Sequence, residues 1–148
     1  LDGVAEVWRA DGTDARVRVA DVPAGNGVNS LDRGDVIRAI ELPGAALRSR
    51  TALRKIALAE LGRSGAVLTG RLDPDGAALF VITAATLTPV ELRFDALPTA
   101  EQLLFTTEIA PGYYTDPLGA ADWRRQVTGV LLVEVLEELR AGAAGGAA

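Results

Sequence analysis

The sequence predicts an α+β fold, and three observations predict it. Up to Phe94 the chain is a series of short runs rich in Val, Ile, Leu and Thr, separated by Gly, Pro, Asp and Asn. Beyond Pro98 the apolar residues recur with a period near 3.6 instead of two. Strands come first and helices last, with no repeated alternation of the two and no internal repeat.

Each element has its own signal. Residues 4–9 and 16–20 flank the turn dipeptide Asp11-Gly12, and the second run, Arg16-Val17-Arg18-Val19-Ala20, alternates cleanly. They predict an antiparallel hairpin with one wet face. After the Gly25-Asn26-Gly27 loop comes a third strand over 36–42, closed by Pro43-Gly44, where a domain boundary is expected. Residues 51–58 suit helix or strand. Apolar positions 53, 56, 57, 58 and 61 lean towards helix.

Residues 66–72 and 77–86 flank Asp73-Pro74-Asp75-Gly76, where proline presets the turn and glycine completes it, so a hairpin is predicted. Residues 89–94 add another strand. Thr99 with Gln102 has the spacing of a capping box, opening a short helix that Pro111-Gly112 stops. A long last helix is expected to open near Pro117 and run to Arg140. Its apolar stripe is read as Trp123, Val127, Val130, Leu131, Val135 and Leu139, leaving Arg124, Arg125, Glu134, Glu137 and Glu138 facing solvent.

Composition removes whole classes of function. The chain has 148 residues with no Cys and no His, so Cys/His zinc sites, iron–sulfur ligation and Ser-His-Asp triads are excluded. A net charge of -5 argues against binding nucleic acid through charge alone. No apolar run reaches the roughly 18 residues of a membrane span. The absence of Met suggests a fragment or a processed chain, and residues 141–148, all Ala and Gly, are expected to be a disordered tail.

Few constellations suggest chemistry. Gly25-Asn26-Gly27 lacks a following helix and the Lys-Ser/Thr of a phosphate loop, so it is a plain turn. Glu134, Glu137 and Glu138 have no His or second carboxylate helix beside them and are read as a solvated helix face, not metal ligands. No catalytic residue is assigned. Lys55 stands out among Arg48, Arg50, Arg54 and Arg63 because it is the chain's single lysine. A compact ammonium can point at one electron-rich group, where guanidinium prefers planar bidentate partners.

Four phrases in order carry a family resemblance. Leu31-Asp32-Arg33-Gly34-Asp35-Val36-Ile37-Arg38-Ala39-Ile40-Glu41-Leu42-Pro43 resembles the Leu-x-Pro-Gly-Glu-Leu-Leu-x-x-Ile-x-Ile-Pro strand that ends the flavin domain of molybdenum hydroxylases. Leu53-Arg54-Lys55 is similar to the Tyr-x-Lys opening their C-terminal domain. Thr88-Pro89-Val90 and Ala121-Asp122-Trp123-Arg124-Arg125 match a Thr-Pro-x and the start of the final helix. The family is that of the FAD-binding subunits of xanthine dehydrogenase and carbon monoxide dehydrogenase.

The resemblance implies that residues 1–43 end a vanillyl-alcohol-oxidase-type FAD domain, and that 44–140 form a C-terminal domain of antiparallel sheet plus helices. It also favours a strand at 51–58. It implies FAD as cofactor, with Ile37 against the isoalloxazine ring and Lys55 near its polar edge. Strand alternation would place Ile37, Ala39 and Glu41 on one face. Implied partners are a molybdopterin-binding large subunit, a 2Fe-2S small subunit and NAD+, quinone or oxygen as acceptor, in the cytoplasm.

Two departures stand beside the match. The family's glycine-rich pyrophosphate loops are not among these residues, so the fragment alone is expected to be inactive and to hold no FAD. After Lys55 the family's basic pair and Asp-Ile/Leu-Ala are replaced by Ala59-Glu60 and Arg63-Ser64-Gly65. The rival expectation is an interaction module of the same fold that has lost the flavin, marked by an apolar patch left exposed once the last helix is packed.

Overall fold

The structure, a computed structural model, describes residues 1–144 and divides into two compact units, Leu1–Arg48 and a second that begins at Ser49. It is α+β, with antiparallel sheets and two α-helices.

In the first unit, β1 (Val4–Trp8) is the central strand, paired on one side with β2 (Asp14–Arg18) and on the other with β5 (Val36–Glu41). One face of this sheet is wet, as the sequence predicts. Arg38 donates to Glu6 at 2.6 Å, Arg16 makes a two-pronged pair with Glu41, and the Arg38 guanidinium lies 5.6 Å from the Trp8 ring centroid. The other face carries Ala5 and Val7, both fully buried. The Gly25-Asn26-Gly27 loop is a plain turn between two very short strands, β3 (Pro23–Gly25) and β4 (Val28–Asn29), with Gly27 at φ +72°. This small hairpin has no apolar alternation to announce it.

The second unit is a four-stranded meander, β6 (Arg50–Ala57), β7 (Ser64–Leu72), β8 (Ala78–Thr83) and β9 (Val90–Phe94), followed by α1 (Ala100–Glu108) and α2 (Ala121–Ala144). Residues 50–57 are strand. Their ambiguous pattern is resolved by eight pairings with β7, which lend the ladder that local propensity does not specify. Asp73-Pro74-Asp75-Gly76 turns the β7–β8 hairpin, with Gly76 at φ +96°. The capping box forms in full, Thr99 Oγ1 accepting from Gln102 N–H and Gln102 Oε1 from Thr99 N–H.

The core lies between one face of this sheet and the helices, where Leu68, Phe80 and Ile82 meet Leu103, Leu132, Val135 and Leu136. Close approach of α2 depends on Gly70: a Cβ there would come within 2.9 Å of Leu139 Cδ1 and 3.1 Å of the Phe80 ring.

The last helix departs from expectation in three ways. It opens at Ala121, because Asp116 and Gly119 exchange two backbone hydrogen bonds that fold Pro117 into a tight turn. It continues through Ala144, into the segment expected as a disordered tail. Residues 145–148 lie outside the described residues. Its buried stripe is Arg124, Thr128, Leu132, Val135, Leu136 and Leu139, while Val130 is exposed. The helix is thus rotated from the predicted stripe, and Arg124 faces inward. Among the described residues, no helix is long and apolar enough to cross a membrane.

Candidate functional site

Ile37 sits on the edge strand β5, 40% exposed. The register of β1 with β5 shifts between Glu6 and Val7: Glu6 pairs with Ala39, but Val7 pairs with Ile37, so Arg38 is an extra residue in a bulge. Residues paired across a sheet share a face, so Ile37 lies with Ile40, Val7 and Ala5. Ala39 and Glu41 belong to the wet face with Glu6. The expected face of Ile37, Ala39 and Glu41 is therefore not the one formed, because the bulge breaks the two-residue period. What forms instead is more apolar. Ile37 and the exposed Ile40 stand over the buried Ala5 and Val7. An exposed aliphatic platform of this kind suits one side of a planar ring.

Lys55 lies on β6 opposite Val67 and is exposed. It shares with Leu53 the sheet face that points away from the helices. Arg54, on the opposite face, reaches α2 and pairs with Glu134 at 3.0 Å and Glu138 at 2.7 Å. Two of the three helix carboxylates are thereby partnered with a guanidinium, and those bonds hold Arg54's pKa above its ordinary value. Lys55 makes no ion pair among the described residues, so its ammonium is available to a ligand. Ile37 thus presents an apolar surface and Lys55 an exposed cation. Ile37 belongs to the first unit and Lys55 to the second, and each is placed within its own unit only.

Arg124, expected from sequence to face solvent, is instead buried in a dense set of polar contacts. Arg124 is 0% exposed. Its guanidinium donates to the Gly65 and Ala84 carbonyls, to the Gly119 carbonyl at 3.2 Å, and to Asp116 Oδ1 at 2.5 Å. Burial by itself would raise the pKa of Asp116. The Leu118 N–H and Arg124 bonds outweigh it and hold the carboxyl below its ordinary value. Arg124 thus ties the start of α2 to the β6–β7 bulge at Gly65 and to Ala84 after β8, a non-glycine residue at φ +61°. Trp123 is half-buried. Its ring occupies the space above Gly65 and Gly119, where neither glycine could carry a Cβ without a clash.

Arg125 is partly exposed, 5.2 Å from the Tyr113 ring centroid and 3.8 Å from Glu108. Among the described residues there is no group of three Asp or Glu side chains placed to hold a metal ion.

No family model and no curated protein matches the sequence. Solved structures do match the fold. CO dehydrogenase from Oligotropha carboxidovorans contains a chain that superposes with a TM-score of 0.81 at 20% identity, over 95% of this chain and 54% of that one. Quinoline 2-oxidoreductase from Pseudomonas putida 86 gives 0.76 at 16% identity, over 97% and 54%. Carbon monoxide dehydrogenase from Hydrogenophaga pseudoflava gives 0.74 at 15%, over 95% and 53%. The chain spans about half the length of the chains it matches, and it shares their fold throughout that half. The likeness suggested by the four sequence phrases is present in three dimensions.

Proposed function

We propose that this chain is the C-terminal portion of an FAD-binding subunit in a molybdenum-hydroxylase-type oxidoreductase. The observation that carries this reading is fold likeness over 95% of the chain to CO dehydrogenase, at a level where sequence identity has fallen to 20%. On this reading residues 1–43 close a vanillyl-alcohol-oxidase-type flavin domain, and 44–140 are the domain that follows it.

FAD, when bound, supplies the redox chemistry, taking electrons from iron–sulfur clusters and passing them to NAD+, a quinone or oxygen. The chain's own residues supply placement and electrostatics. Ile37, with Ile40 beside it, would offer an aliphatic surface to one side of the ring. Lys55 would set a fixed positive charge near the ring's polar edge, favouring the form that carries added negative charge. Arg124 would act only through the backbone, by fixing the Gly65 bulge at the end of the hairpin that carries Lys55. The partners on this reading are a molybdopterin-binding large subunit and a 2Fe-2S small subunit, in a cytoplasmic complex.

The direct test is the visible absorbance of the protein purified at its full encoded length. The expected result is a flavin spectrum, with FAD released on denaturation. A full-length protein that carries no flavin and takes up none from added FAD overturns the proposal. Residues 1–148 alone are expected to show no saturable FAD binding, since no pyrophosphate-binding glycine loop lies within them. Micromolar affinity in that fragment would mean that the cofactor is held in some other way.

A further inference from the structure

The α1 and α2 helices leave an apolar surface uncovered. Phe105 is 66% exposed on α1, with Leu104 and Ile109 exposed beside it, and Val130 is exposed on α2. Between the helices runs an open groove of about 610 Å³ whose floor includes Gly129. A Cβ on Gly129 would come within 3.1 Å of Leu104 Cδ2, so its absence is what brings the two helices close here. Leu104 and Phe105 line the groove itself, and Ile109 and Val130 adjoin it in sequence at the end of α1 and next to Gly129. Single exposed apolar residues are ordinary, but a cluster at one groove is not.

The rim is acidic. Glu101 and Glu108 line the groove, and Glu137 lies seven positions beyond Val130 on the same helical face. Glu101 and Glu137 have no ionic partner among the described residues. The one cation in the lining, Arg125, is already engaged by Tyr113 and Glu108. An apolar floor whose rim carries more carboxylate than cation complements one kind of occupant.

We infer that the α1–α2 groove is a docking site for a basic amphipathic helix from a partner protein. Such a helix would lay apolar side chains at i, i+3, i+4 and i+7 over Phe105, Leu104 and Val130, with Lys or Arg flanking them to meet Glu101, Glu108 and Glu137. The site is independent of flavin binding.

The test uses the full chain and a synthetic Leu/Lys amphipathic helix as the probe, with its Leu/Glu counterpart as control. The Leu/Lys peptide is expected to bind saturably at one per chain, with affinity that falls as salt rises. Phe105→Ser is expected to weaken binding about tenfold, the loss of one aromatic anchor. Glu101→Gln with Glu108→Gln is expected to weaken it several-fold at low salt and to flatten the salt dependence. Glu134→Gln with Glu138→Gln is expected to leave binding unchanged, because those carboxylates face Arg54. Circular dichroism checks each fold, and Val130→Ser replaces Phe105→Ser if the latter unfolds. Equal affinity for the Leu/Glu peptide overturns the inference, as does indifference to Phe105→Ser. Concentration-dependent self-association that Phe105→Ser abolishes also overturns it, since a second copy would then cover the groove.

Discussion

The guanidinium of Arg124 sits over the Tyr114 ring, with its Cζ 4.4 Å from the ring centroid, while the Tyr114 hydroxyl donates to the same Ala84 carbonyl that Arg124 holds. Two residues ten apart in sequence thus converge on one backbone oxygen across the domain. A charge this deeply buried is sustained only by such saturation of its donors.

Removing it should be costly. Arg124→Ala removes the counter-charge of Asp116 and one donor from each of three carbonyls, and breaking a buried charged pair in this way costs about 3–5 kcal/mol. Arg125→Ala removes a partly exposed cation above Tyr113 and should cost about 1 kcal/mol or less. Trp123→Ala, half-buried over two glycines, should fall between them. Urea unfolding of the three variants gives the order, and equal losses for the two arginines would contradict the buried network.

The sequence suggests instead that Trp123 is buried and Arg124 faces solvent, and the reason for the exchange is physical. The last helix carries apolar residues around much of its circumference between Val127 and Leu136, so its period supports two stripes about one residue apart. Arginine is normally excluded from a buried stripe, which favours the wrong one. The correct stripe becomes readable only once Asp116 and Tyr114 supply partners, and they approach through a tertiary turn. Elements with strong local chemistry were legible: the Thr99–Gln102 capping box, the Asp73–Gly76 turn and the wet hairpin face. The β5 bulge was not, because nothing in Val36-Ile37-Arg38-Ala39 distinguishes a bulged residue from a paired one. For the candidate site, the sequence offers Lys55 as its single lysine and Ile37 by resemblance, while the network around Arg124 needed the fold.

Acid should weaken the same network. The folded-state pKa of Asp116 lies below its ordinary 3.8, so its contribution is fully present above that value. It is lost as the pH falls through the ordinary range towards the depressed folded value. Asp116→Asn should therefore be less stable than the parent at neutral pH and should lose less on acidification. The denaturation midpoint followed from neutral pH down to the acid transition checks this. Parallel curves for parent and variant would assign the acid sensitivity to other carboxylates.

Gly70 sets the distance between α2 and the sheet. Gly70→Ala places a methyl group against Val135, Leu139 and Phe80, all of them buried. Overpacking of this kind costs about 1–3 kcal/mol. Gly76→Ala, at a turn with open space but φ +96°, should cost about 1 kcal/mol through backbone strain alone. Thermal unfolding of the pair separates packing from conformation. A Gly70→Ala variant as stable as the parent would mean that α2 can lift from the sheet without penalty.

Lys55 tests the flavin reading through charge. It is exposed and makes no ion pair among the described residues, so Lys55→Met should change stability by no more than about 0.5 kcal/mol. In the full-length flavoprotein of the proposed function, the same change removes a positive charge from beside the ring. Added electrons then lose an attraction worth about 1–4 kcal/mol at a separation near 4 Å, depending on how far water screens it. For a two-electron couple this lowers the midpoint potential on the order of tens of millivolts. Lys55→Arg keeps the charge and should recover most of the potential. Spectroelectrochemical titration of the two variants reads the effect directly. An unchanged potential in a folded, flavin-loaded Lys55→Met protein would make the lysine a solvated surface residue, and a drop that Lys55→Arg fails to restore would assign the effect to geometry instead of charge.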